Sequence, residues 1–303
     1  MKYLKSRNQE IEIPENNPFA NDKLDRLSLC NILTDVVSFY GQSGCVIALC
    51  GEWGSGKTTF VKMWKQNLNN NNYKTLYFNA WNSDYTEDPL MALIFELSKL
   101  SSNTEMVNRI ATGAVRIGLS ALKGMLKKTT GIECDAIHNA IDETFDIGKE
   151  YLEKYSEQKA TLDEFKRDLQ NFVATNASEH PVVFFVDELD RCNPRYAVAV
   201  LERIKHLFEI PNLIFILAIN KKELSNAIQG YYGSSKIDSN EYLRRFIDIE
   251  YELSNPEIDA YFDYLYEEYM FKEFFNDKKE LSIFGITMKM KHLEQSPIVC
   301  VKK

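Results

Sequence analysis

The chain has 303 residues, of which 45% are hydrophobic and 26% are charged, and its formal net charge is −8. This composition is typical of a globular protein with one large domain or two smaller ones, long enough to bury a substantial core without disulfides. The acidic balance argues against broad nucleic-acid binding by the isolated chain. No window holds roughly eighteen uncharged apolar residues, so the sequence predicts no transmembrane span.

The cysteines and the N-terminal stretch bear on the compartment of the protein. The six cysteines form no CxxC pair and have no histidine at zinc-ligand spacing, which favours reduced thiols and a cytoplasmic protein. The N-terminal stretch lacks the apolar segment of a secretory signal. Residues 1–20 contain Pro14 and Pro18 and are predicted to form an irregular leader.

Strand and helix patterns alternate along most of the chain. In chain order they predict a helix over about 23–40, a strand over 45–50, a helix from 59, a strand over 74–81, a helix over 90–100, a strand over 182–186, a helix over about 195–209, a strand over 213–220, a short helix and a strand over 246–253. This alternation predicts an α/β fold with a doubly wound, mainly parallel sheet.

The segment between the first and second halves of this pattern has a different character. Residues 101–177 show helical periodicity, almost no strand signal and no proline. We interpret them as a helical insertion of three or four helices. Arg109, Arg116 and Lys123 recur every seven residues along its most apolar part, which favours an amphipathic helix covering a core or a partner over one lying on a membrane.

A complete GxxxxGK[ST] phosphate loop follows the first strand. The glycines allow successive backbone N–H groups to point at one phosphate, and the following helix adds its dipole. Lys57 is expected to reach the β- and γ-phosphates, and the Thr58 hydroxyl to ligate Mg²⁺. The residues expected to contact the nucleotide are Gly51, Glu52, Trp53, Gly54, Ser55, Gly56, Lys57, Thr58 and Thr59. The chain is therefore predicted to bind a nucleoside triphosphate.

An acidic cluster, Asp187 to Asp190, ends the strand over 182–186. Asp187 is expected to hold Mg²⁺ across from Thr58, and Glu188 has the chemistry to orient and deprotonate a water molecule. The alternative is that the cluster caps the helix that begins beyond Pro194.

Three further features indicate the type of nucleotide chemistry. The strand ending in Trp81 and the glutamate that follows Asp187 resemble the additional-strand, catalytic-glutamate branch of P-loop ATPases, and no NKxD motif of GTPases is present, so ATP is favoured over GTP. Asn220 ends an apolar strand, where that branch has a residue that senses the γ-phosphate; the alternative is an N-cap of the next helix.

Arginines are the residues expected to stabilise charge on the transferred phosphoryl group. The candidates are Arg191, Arg203, Arg244 and Arg245. Arg203 is better explained by a surface salt bridge. Arg244 and Arg245 precede a core strand and are better placed to reach a neighbouring subunit, and Arg245 is taken as the catalytic candidate.

The motifs taken together resemble the KAP family of P-loop NTPases over about residues 20–253. They are GEWGSGKTT, FNAW, FFVDELDRC, LERIKHLFEIPNLIFILAIN and EYLRRFIDI. Family members usually have Asp-Asp where this chain has Asp187-Glu188, and often Asp at the position of Asn220. Neither difference removes the proposed roles.

The resemblance implies a domain over 21–253, with the insertion at about 101–177 inside it. It also implies a partial helical lid over 254–303, with Lys289 where an arginine sensor would lie. The chain ends before such a lid would usually finish, which is expected of either a shortened member or a fragment.

The resemblance implies a Mg²⁺-dependent ATPase that acts as a conformational or assembly switch for a partner protein or in a homo-oligomer, in bacterial antiphage defence or signalling. A nucleotide-binding scaffold without hydrolysis is the alternative. A small-molecule kinase is disfavoured, because Glu188 and Asn220 suit the activation of water.

Overall fold

The computed structural model describes residues 11–86, 88–129, 144–177, 179–205, 210–234, 237–253, 266, 280–283 and 286–289. Its centre is a five-stranded parallel sheet with the strand order β2-β3-β4-β1-β5. The strands are β1 (Cys45–Cys50), β2 (Thr75–Asn79), β3 (Val182–Asp187), β4 (Leu213–Ile219) and β5 (Ile249–Glu252). The predicted α/β fold with a parallel sheet is confirmed.

Helices connect these strands and cover both faces of the sheet. They are α1 (Leu27–Tyr40), α2 (Lys57–Asn70), α3 (Pro89–Ser98), α4 (Thr104–Thr129), α5 (Thr144–Asn176), α6 (Pro194–Lys205), α7 (Lys221–Tyr232) and α8 (Ser239–Leu243). Asp88 caps α3, because its side chain accepts a hydrogen bond from the Leu90 N–H. The helix predicted from residue 23 begins later, at Leu27, since the Asp22 carboxylate accepts from Leu24 N and Arg26 N and holds 22–26 as a turn.

The side chains of the central strands alternate between two apolar layers. Val46, Ala48 and Cys50 pack with the helices from α3 to α7, whereas Ile47 and Leu49 pack with α1 and α2. Successive side chains of a strand point to opposite faces, and a parallel sheet is covered on both. This explains why the sequences of β1, β3 and β4 are continuously apolar. All residues of these three strands are buried.

The sheet order corrects one part of the sequence argument. The strand that separates β1 from β3 is β4, whereas β2, which we took as the additional strand, lies at the edge of the sheet. β2 is also shorter than predicted, since it ends at Asn79 and Trp81 begins a single 3₁₀ turn, Trp81–Ser83. The sequence order of strands does not reveal their spatial order, because parallel strands are joined by long crossovers.

The insertion is helical, as the sequence predicts. Its described part forms two long helices, α4 and α5, which contact each other and pack on the core through Ile110, Ala114, Phe165 and Leu169. Arg116 of α4 forms a salt bridge with Glu164 of α5, at 3.9 Å. No helix in the described ranges has the length and hydropathy required to cross a membrane. Residues 130–143, which include Cys134, lie outside the described residues.

The described part of the predicted lid is only partly helical. Tyr266 has helical conformation, but β6 (Glu280–Ile283) and β7 (Ile286–Lys289) form an antiparallel pair. The lid expected over 254–303 therefore contains strands rather than helix at 280–283 and 286–289. Leu281-Ser282-Ile283 and Ile286-Thr287-Met288 alternate apolar and polar residues with β-branched side chains, which is a strand pattern. The rest of 254–303 lies outside the described residues.

Candidate active site at the carboxyl edge of the sheet

The predicted site residues gather where the parallel strands end. β1 leads into the phosphate loop, β3 ends in Asp187 and β4 is followed by Asn220. The strands are in register at this edge, since Asp187 pairs with Ala218 and Cys50 pairs with Ile219. Open α/β sheets bind their ligands outside the carboxyl ends of the strands, so this edge is the expected place for a site.

The phosphate loop has the backbone conformation that its glycines permit. Gly54 and Gly56 have φ values of 84° and 82°, in the left-handed region that side chains disfavour. Gly56 immediately precedes α2, so the N-terminus of this helix faces the loop. A cavity of about 230 Å³ lies beside the loop and is lined by Lys57, Thr58 and the acidic residues of the β3 end. The arrangement suits a bound phosphate.

Lys57 is buried and engaged within the loop itself. Its Nζ donates to the carbonyl oxygens of Gly51, at 2.6 Å, and Glu52, at 2.9 Å. Burial lowers the pKa of the Lys57 ammonium, and the nearby Asp190 and Asp187 oppose that shift. These hydrogen bonds hold the ammonium at the loop.

Asp187 lies opposite Thr58, as the sequence predicts. The Asp187 carboxylate is buried and accepts hydrogen bonds from the Thr58 hydroxyl, the Tyr77 hydroxyl at 2.9 Å and the Glu188 N–H at 2.9 Å. Burial raises the pKa of Asp187, and the hydrogen bonds from Tyr77 and Thr58 oppose that shift. A hydroxyl and a carboxylate are hard oxygen ligands for metal ions, so Thr58 and Asp187 fit a Mg²⁺ ion.

Glu188 is held in a strained backbone conformation beside Asp187. Its φ of 60° lies in the left-handed region, which is uncommon for a residue other than glycine and clusters at functional sites. One carboxylate oxygen accepts from Asn79 Nδ2 at 2.9 Å, and the other pairs with Arg191 Nη1 at 3.0 Å. The guanidinium of Arg191 also lies over the Trp81 ring, 5.5 Å from its centroid. The side chain of Glu188 is thus fixed from both sides.

The alternative role for the acidic cluster, as a cap of α6, does not hold. The side chain of Asn193 accepts from Arg195 N at 3.0 Å and fills that role. Asn220, by contrast, does cap α7: its side chain accepts from Glu223 N at 3.4 Å. It is 9% exposed and follows β4 next to the start of the phosphate loop, since the Gly51 N–H donates to the Ile219 carbonyl.

The candidate arginines lie in different places. Arg191 lines the phosphate-loop cavity. Arg203 forms a 3.5 Å salt bridge with Asp88, as its surface interpretation predicts. Arg244 and Arg245 are exposed and precede β5, whose first residue pairs with Ile47, so they lie toward the amino end of that strand and outside the cavity lining. A role for them requires a neighbouring subunit.

One comparison with known proteins identifies the family of the chain. The model of the KAP family P-loop domain matches residues 18–294. The chain belongs to the KAP family. No curated protein matches the sequence significantly.

Solved structures similar to this KAP-family chain share little sequence with it. The Aeropyrum pernix ORC2 protein, in ADPNP-ADP complexes, has 15% identity and a TM-score of 0.39, with 80% of this chain and 52% of that chain covered. A DNA replication initiation factor has 13% identity and a TM-score of 0.39, with 87% and 55% covered. C. elegans PCH-2 has 15% identity and a TM-score of 0.31, with 86% and 48% covered. The chain thus matches about half the length of these three structures.

Sequence reasoning missed three residues of the site. Tyr77 and Asn79 of β2 contact Asp187 and Glu188, although FNAW had been noted only as a family motif. Their signal was available, because two polar residues two apart in a strand lie on the same face. Arg26 is only 7% exposed and donates to the Ser55 carbonyl at 2.7 Å. A lone arginine before a helix gives no comparable signal.

A second cavity adjoins the phosphate loop on the side of residues 21–26 and α2. It has a volume of about 200 Å³ and shares Gly54, Gly56 and Thr59 with the first. Its other lining residues are Ile11, Asn21, Asp22, Lys23, Leu24, Arg26, Phe60 and Met63. The mixture of apolar and polar side chains is typical of a site for a small organic group.

Proposed function

We propose that this KAP-family protein is a Mg²⁺-dependent ATPase. The observation that carries the proposal is that Thr58 of the phosphate loop and Asp187 of the acidic strand line the same cavity. Mg²⁺ held by these two residues would neutralise charge on the β- and γ-phosphates. A triphosphate that binds together with its metal ion requires such a site, to which both the phosphate loop and the acidic strand contribute.

The residues of the chain then have separate tasks. Lys57 exchanges the carbonyl oxygens of Gly51 and Glu52 for phosphate oxygens. The nucleoside occupies the second cavity, between Leu24 and Met63. Glu188 orients the attacking water and accepts its proton, and Asn220 is the candidate for contact with the γ-phosphate. Support for Glu188 comes from its fixed side chain and its position beside Asp187.

The proposed role of hydrolysis is a conformational or assembly switch, in which Arg245 of one subunit reaches the nucleotide of the next. The exposure of Arg244 and Arg245 supports this role. Size-exclusion chromatography with and without ATP and Mg²⁺ tests it. Nucleotide-dependent assembly that is lost in Arg245→Ala is expected, and an unchanged elution volume under all conditions contradicts it.

One observation favours a scaffold without rapid hydrolysis. Both carboxylate oxygens of Glu188 are already engaged, by Asn79 and Arg191, which slows proton abstraction until one partner leaves. Phosphate release measured over a range of protein concentrations separates the two functions. If the wild type releases phosphate no faster than Lys57→Ala at every concentration, the protein is a nucleotide-binding scaffold and not an ATPase.

The binding step is tested with a fluorescent ATP analogue in the presence of Mg²⁺. Lys57→Ala should weaken binding about 100-fold, because a hydrogen-bonded contact with a charged phosphate is lost. Lys65→Ala, a change of the same kind further along α2, is the matched control and should leave affinity within about 2-fold. Equal affinity in wild type and Lys57→Ala contradicts triphosphate binding at this loop.

A further inference from the structure

Asp190 is a buried carboxylate that the proposed mechanism does not use. It is 9% exposed and lies in a one-turn 3₁₀ helix, Leu189–Arg191, directly after Glu188. It does not cap α6, since Asn193 does so. Burying a charge costs free energy unless it is paired or hydrogen-bonded. The partners of Asp190 therefore indicate its purpose.

The hydrogen-bond partner is a side chain of the phosphate loop. Trp53 Nε1 donates to Asp190 Oδ2 at 2.6 Å, between residues that are 137 apart in the chain. A hydrogen bond to an ionised acceptor is shorter and stronger than one between neutral groups. The Trp53 ring itself is 51% exposed, so this contact, rather than burial, fixes the side chain.

Trp53 lies within the turn that shapes the loop. The Ser55 N–H donates to the Glu52 carbonyl at 3.2 Å, which closes a turn with Trp53 and Gly54 at its centre. On the other side of the loop, Arg26 donates to the Ser55 carbonyl. The loop is thus held between two buried charged side chains, one from the segment before α1 and one from the β3–α6 connection.

Asp190 also acts on Lys57 through its charge. Both residues line the same cavity. Asp190 is the largest of the charges that counter the effect of burial on the Lys57 ammonium. Its carboxylate thus holds the loop through Trp53 and favours the charged form of the lysine that meets the phosphates.

We propose that Asp190 is a positioning residue that, through Trp53, holds the Glu52–Ser55 turn in the shape that receives the triphosphate and so sets nucleotide affinity. The proposal rests on the proposed function of this loop in binding a nucleoside triphosphate. It assigns Asp190 no contact with the nucleotide. Its consequence is that Trp53 and Asp190 act as one unit.

The test is a double-mutant cycle on the full chain, with a fluorescent ATP analogue and Mg²⁺ as the probe. Trp53→Phe and Asp190→Ala should each weaken binding about 10-fold, which is the usual effect of losing a hydrogen bond to a charged group. The double variant should bind no more weakly than the weaker single variant, because the same contact is lost only once. In steady-state hydrolysis Asp190→Ala should raise KM and leave kcat within about 2-fold.

Conservative and control variants separate positioning from general destabilisation. Asp190→Asn keeps an acceptor oxygen for the indole and should retain affinity within about 3-fold of the wild type. Asp163→Ala, at an exposed position of α5, should have no effect. If Asp190→Ala does not fold, as judged by circular dichroism, Asp190→Leu, which has a similar volume and no acceptor, completes the cycle with Trp53→Phe.

Two outcomes overturn the proposal. Losses that add in the double variant mean that the residues act independently, and a loss in Trp53→Phe alone means that the indole contacts the nucleotide directly. Failure of the proposed function has a different signature, since the wild type and Lys57→Ala would then bind the probe equally.

Discussion

The two halves of the candidate site are built in different ways. The phosphate loop is one contiguous segment, Gly51–Thr58, that in the proposed function would meet the nucleotide mainly with backbone N–H groups. The acidic half depends on side chains from separate segments: Asp187 and Glu188 from the end of β3, Tyr77 and Asn79 from β2. A backbone site depends on conformation, whereas a side-chain site depends on each hydrogen bond. We therefore expect single changes in the acidic half to separate chemistry from binding.

The largest effect should follow removal of the proposed base. Glu188→Gln should lower kcat about 100-fold or more while leaving affinity for the ATP analogue nearly unchanged, because proton abstraction is lost but the phosphate contacts remain. Phosphate release at saturating ATP measures the change. Glu202→Gln, an exposed position on α6, is the control. A parallel loss of binding would show that the two halves are not separable.

A smaller effect is expected at the hydroxyl that supports Asp187. Tyr77→Phe removes a donor to the carboxylate and should raise the Mg²⁺ concentration needed for half-maximal hydrolysis about 10-fold, as is usual for groups that orient a metal ligand. Titration of Mg²⁺ at fixed ATP measures it. Tyr85→Phe, whose ring is 85% exposed, is the matched control. If the Mg²⁺ requirement of Tyr77→Phe is unchanged, Tyr77 does not support a metal ligand.

The smallest effect concerns stability. Burial raises the pKa of Asp187, so its favourable contribution to folding is complete below the ordinary carboxyl pKa and is lost as the pH rises through the raised value. Without Mg²⁺, the melting temperature of Asp187→Asn should therefore be about 1–3 °C higher than that of the wild type at pH 8. This difference in melting temperature should disappear at about pH 4. Thermal denaturation in a chelator at both pH values measures it. A difference of the opposite sign, or one independent of pH, contradicts the pKa shift.

The same contrast explains what the sequence predicted. The buried strands follow local sequence patterns, and the structure has them close to where they were predicted. The roles of the phosphate loop, Thr58 and Asp187 stay predictions. The spacing of Tyr77 and Asn79 places them on one face of β2, but which residues they contact depends on which strands are neighbours. The role of Arg26 depends on how residues 22–26 fold. The order of strands also required the structure, since β4 rather than β2 separates β1 from β3. The prediction of a helical lid was wrong at Ile286–Lys289, which forms a strand, as the alternation of polar and apolar residues there indicates.

The resting hydrogen bonds of Lys57 affect how nucleotide binding would be observed in a calorimeter. The ammonium is already satisfied by two carbonyl oxygens, so its contact with phosphate is an exchange of partners and contributes little net enthalpy. Burial lowers the pKa of Lys57 in the protein without nucleotide, and a nearby phosphate would raise that pKa again. At alkaline pH, nucleotide binding should therefore be accompanied by uptake of a proton by Lys57. The heat measured there should change with the ionisation enthalpy of the buffer, and Lys57→Ala should abolish that dependence.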